Sequence, residues 1–143
     1  MSQSIKQLIQ LAHGNAVNHG WWENPPTFGD LLSLVHEEVS ETLGEHRNGK
    51  MPTETYYSGI KKFSATDTKT KAVIAVSNNI KGYKIDGITC TKPEGIPSEL
   101  ADVVIRIFDI CGYYGIDLQA AIEEKMAYNE SRPYKHGGKI LWK

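Results

Sequence analysis

Pro97-Ser98-Glu99-Leu100-Ala101-Asp102-Val103-Val104 opens a segment that stays apolar through Ile105, Ile107, Phe108, Ile110 and Cys111. Pro97 and Ser98 are helix-start signals. The apolar residues fall on nearly every side, so the spacing predicts a central, buried helix from about Ser98 until Gly112 and Gly115 weaken it. Glu99 and Asp102 are three apart in its first turns and share one face. Asp102 stands where the helix becomes apolar. A carboxylate buried there without a partner is costly or takes up a proton.

A second acidic pair stands about 60 positions earlier, in Leu34-Val35-His36-Glu37-Glu38-Val39-Ser40-Glu41. Glu38 and Glu41 are again three apart. Leu31, Leu32, Leu34, Val35, Val39 and Leu43 supply an apolar stripe beside them. The spacing predicts a helix from Phe28 to Arg47, capped by Thr27 and closed by Asn48-Gly49 and Pro52. Either pair alone reads as a solvated helix face, or as acids favoured at a helix N-terminus. Together, two packed helices direct four carboxylates at one point, and a hard divalent cation such as Mg2+ resolves their repulsion. Glu37 points about 100° away from Glu38. It holds a second metal, orients a water or is simply exposed. Asp109 lies seven beyond Asp102 with Arg106 between, and an internal Arg106–Asp109 ion pair is expected there.

Ile5, Leu8, Ile9, Ala12 and Ala16 predict a first helix over about 4–18, with Ser4 as cap and Gly20 beyond its end. Trp21-Trp22-Glu23-Asn24-Pro25-Pro26 reads as a loop. Residues 50–97 lose the helical period. Lys71 to Ser77 reads as a strand, with Tyr83 to Thr89 as its hairpin partner across Asn78 to Gly82. A fourth helix is expected from about Asp117 to Ser131, stopped by Pro133, with a flexible, basic tail from Tyr134 to Lys139. The expected fold is therefore mainly α: a bundle of about four helices in one domain, 1–143, with a small β-hairpin insertion between helices two and three.

Lys125, Asn129 and Arg132 form one polar, cationic stripe on the fourth helix. Beside a hard cation it suits a polyphosphate; by itself it is a solvated helix end. Trp21 and Trp22 offer faces for a nucleobase, or serve as a hydrophobic plug or subunit contact. The five histidines have no zinc spacing, and Gly137-Gly138-Lys139 lacks the frame of a P-loop. The 143 residues are 40% hydrophobic and 23% charged, with a formal net charge of -1. That balance gives no global field for a nucleic acid polymer or an anionic membrane. No apolar run approaches the ~18 residues of a membrane span, and the first residues carry no signal-peptide core. Cys90 and Cys111 are expected as unpaired thiols in a reducing cytoplasm, with a disulfide between them as the alternative.

Glu37-Glu38-x-x-Glu41 followed by Glu99-x-x-Asp102 resembles the signature of the MazG-like, all-α nucleoside triphosphate pyrophosphohydrolases. Gly20-Trp21-Trp22, the Glu41-to-Arg47 stretch, Pro93-Glu94-Gly95-Ile96-Pro97 and Asn129-x-x-Arg132-Pro133 extend the likeness over most of the chain outside 55–90. The resemblance implies a helical bundle assembling as a homodimer or homotetramer. It also implies Mg2+-dependent hydrolysis of nucleoside triphosphates to monophosphate and pyrophosphate, with Mn2+ as a substitute. By motif position Glu38, Glu41, Glu99 and Asp102 are then metal ligands and Glu37 assists them. Lys125, Asn129 and Arg132 contact phosphate. The connection between the acidic pairs is longer than the family's usual one. The alternative is a non-catalytic nucleotide- or metal-binding protein, or an interaction protein, on the same fold.

Overall fold

A computed structural model describes residues 2–61, 71–74, 83–85 and 88–134. The chain is mainly helical, with α1 (Ile5–Asn18), α2 (Phe28–Arg47), α3 (Ile96–Tyr114) and α4 (Leu118–Ser131). Among the described residues, four antiparallel strands lie between α2 and α3: β1 (Tyr56–Lys61), β2 (Lys71–Ile74), β3 (Tyr83–Ile85) and β4 (Ile88–Glu94).

The helix starts follow from local chemistry. The Ser4 hydroxyl accepts from the Gln7 amide while Gln7 accepts back from the Ser4 amide, a reciprocal cap that satisfies two orphan donors. Thr27 and Asp117 cap α2 and α4 in the same side-chain-to-amide manner.

The sheet order is β2-β1-β4-β3. Lys71–Ile74 does not pair with Tyr83–Ile85, as the sequence spacing suggests. It pairs with β1, with Tyr57 opposite Ile74, and β3 pairs with β4, with Ile85 opposite Ile88. The two hairpins join through β1 and β4, whose register shifts at Ser58/Gly59. That irregularity and the long β1–β4 separation in sequence hide the pairing from local pattern. The expected strand end at 75–77, the turn at 78–82, the basic tail beyond Tyr134 and the Cys90 side chain lie outside the described residues.

The chain divides into two compact units, one of residues 1–24 and 108–143, the other of residues 25–107. In the first, Ile9, Ile110 and Cys111 are buried. Burial pushes the free Cys111 thiol above its usual pKa. A Cβ at Gly112 would collide with the His13 side chain, so glycine permits the close approach of α1 to α3. In the second unit Leu31, Tyr56, Tyr57 and Ile96 are buried.

The expectation of a fully buried third helix does not hold for this chain. Leu100, Val104 and Ile105 on α3 are 51%, 43% and 48% exposed. An apolar sequence shows that a face needs cover, not that the same chain supplies it.

Candidate functional site

Unit 25–107 brings the two acidic pairs together. Oxygens of Glu38 on α2 and of Glu99 and Asp102 on α3 all lie within 4.8 Å of one another. Glu38 is buried, Glu99 half-buried and Asp102 exposed. Glu41, the fourth expected ligand, stands outside that group of three and acts on it by raising the Glu99 carboxyl. Glu37 is exposed on the adjacent face of α2.

Each carboxyl reports its surroundings. Burial pushes Glu99 from 4.5 up to about 7, and the Glu41 hydrogen bond and charge add to it, followed by Asp102 and Glu45. Although Asp102 keeps an exposed edge, desolvation raises its pKa and the Glu38 charge raises it further, while Lys92 and Arg106 oppose the shift. The cluster is under-neutralised by the protein's own cations.

Arg106 reaches across from α3 to the acid on α2. Its Nε donates to Glu38 Oε1 at 2.5 Å. The sequence expectation paired Arg106 with Asp109, and that is wrong in both partners. Glu99, Asp102 and Arg106 are spaced i, i+3, i+7, so Arg106 faces α2 with the acids. That signal was present in the sequence. Asp109 instead belongs to unit 1–24/108–143. Its Oδ1 accepts from Trp22 Nε1 at 2.8 Å and contacts His13 Nδ1 at 2.8 Å. No sequence spacing marks those partners, because they come from α1 and the tryptophan loop.

The inserted sheet borders the acids. The Tyr56 hydroxyl donates to Glu45 Oε1 at 2.8 Å, and burial together with that bond holds the phenol protonated well above its usual range. Glu94 at the end of β4 accepts from Ser58 Oγ at 2.8 Å and pairs with Lys92 Nζ at 3.1 Å. Burial alone would raise the Glu94 carboxyl; Ser58, Lys92 and Tyr56 together hold it below the usual range. Gly95 then turns the chain into α3 at φ 103°, where any Cβ would run into the Glu54 carbonyl. Only glycine fits that joint.

The remaining expected residues lie in the other unit. Trp22 stacks on Tyr113 with centroids 4.0 Å apart and planes 10° off parallel, so its ring is engaged internally. Trp21 is 69% exposed. Lys125, Asn129 and Arg132 are exposed, with Lys125 Nζ 5.0 Å and Arg132 Cζ 5.9 Å from the centre of the Tyr128 ring.

The donor set is all carboxylate oxygen, which suits Mg2+, Mn2+ or Ca2+ and not a thiophilic ion. Opposite ligands of octahedral Mg2+ stand ~4.2 Å apart. Adjacent ligands stand only ~3 Å apart, so three oxygens within 4.8 Å of one another would have to close in by side-chain rotation to share one ion. The raised Glu99 and Asp102 carboxyls indicate the same need, since a cation would replace the proton that burial now favours. Among the described residues no helix is long and apolar enough to cross a membrane. The chain matches no protein-family model, no curated protein and no solved structure.

Proposed function

We propose that this chain is a MazG-like, Mg2+-dependent nucleoside triphosphate pyrophosphohydrolase of the cytoplasm, with Mn2+ able to substitute. It converts a nucleoside triphosphate and water to the monophosphate and pyrophosphate. The observation that carries the reading is the convergence of Glu38, Glu99 and Asp102 from two distant stretches of chain. Glu38 is buried and Glu99 half-buried beside the exposed Asp102, and carboxylates taken out of water need a compensating charge.

On this reading Glu38, Glu41, Glu99 and Asp102 hold the ion. Bound there, Mg2+ supplies charge neutralisation and Lewis-acid polarisation of a phosphoryl oxygen. Arg106 fixes the direction of Glu38 through the Nε–Oε1 bond. Glu37, exposed one position along α2, orients the attacking water and accepts its proton. Lys125, Asn129 and Arg132 are assigned to phosphate by resemblance. Trp21 has a free face for a base, and Trp22 braces the loop that carries it.

We further infer a homodimer or homotetramer. Phe28, Leu32, Val39 and Leu43 form one stripe of α2 at helical spacing, each between 44% and 50% exposed. Leu100 and Val104 on α3 are exposed as well, and large apolar side chains left in water on two helices call for cover by a second copy. Sedimentation showing dimer or tetramer at micromolar concentration supports the assignment; monomer alone contradicts it.

The test of function is incubation with a panel of ribo- and deoxynucleoside triphosphates plus Mg2+, separating products. Monophosphate and pyrophosphate in equal amounts are expected. Tight nucleotide binding with no product would instead identify a binding module, and diphosphate with orthophosphate would identify a different cleavage.

A further inference from the structure

We draw no further inference here: the strongest candidate, the cavity of about 420 Å3 that Ile9, His13 and Gly14 of α1 line together with Cys111 and Ile116 at the turn from α3 into α4, is an open, mostly apolar groove, and nothing in the structure shows what covers it.

Discussion

Glu99→Gln isolates the electrostatics of the acid cluster without changing its shape. Glutamine mimics the protonated carboxyl. In the metal-free wild type the folded Glu99 carboxyl titrates at about 7 rather than 4.5, chiefly through burial and then through Glu41. Between those values the folded state binds more protons than the unfolded state, so stability falls as pH rises through the window and levels off above it. The gap from 4.5 to about 7 corresponds to a ceiling of about 3.4 kcal/mol. Glu99 is only half-buried, and solvent screening reduces this to about 1 kcal/mol. In EDTA, well above pH 7, Glu99→Gln should therefore be about 1 kcal/mol more stable than wild type. Below pH 4.5 the two should coincide. Urea denaturation followed by tryptophan fluorescence across this range measures both limits. Adding Mn2+ above pH 7 should raise the wild-type midpoint and move the variant far less, because one anionic ligand is gone. A variant that is less stable than wild type above pH 7, or a difference independent of pH, refutes the argument.

Other substitutions probe the frame around the site. Arg106→Ala leaves the buried Glu38 without its cation and should cost about 2–3 kcal/mol in urea denaturation, with part regained on adding Mn2+. Gly95→Ala forces a side chain into the Glu54 carbonyl at positive φ; a loss of about 3 kcal/mol or more, or failure to fold, is expected by the same assay. Asp109→Leu removes the acceptor at Trp22 and His13 and should cost about 2–3 kcal/mol, with a shift in tryptophan emission reporting the loosened ring.

The helices were legible because their signals are local. Ser4 and Thr27 cap where expected, and the apolar spacing from Leu31 to Leu43 sets the length of α2. The convergence of Glu38 with Glu99 and Asp102 was legible for a different reason: paired acids beside an apolar stripe demand a partner. The sheet was not legible in detail. Tyr83–Ile85 is only three residues long, and β1 finds β4 across a long, irregular separation with a register shift. Period-2 alternation cannot carry a pairing of that kind. The bond of Arg106 to Glu38 lay within reach, since its spacing from Asp102 puts it on the acidic face. The ties of Asp109 to Trp22 and His13 depend on tertiary approach alone.

The account depends on shared cation binding by residues from α2 and α3. Electron paramagnetic resonance of Mn2+ titrated into metal-free protein tests this most directly. Wild type should deplete the free-ion signal with saturable binding. Glu38→Gln and Asp102→Asn, one from each helix, should each weaken that binding about tenfold or more while remaining folded. Saturable binding unaffected by either substitution, or no binding by wild type at millimolar Mn2+, would contradict the shared site.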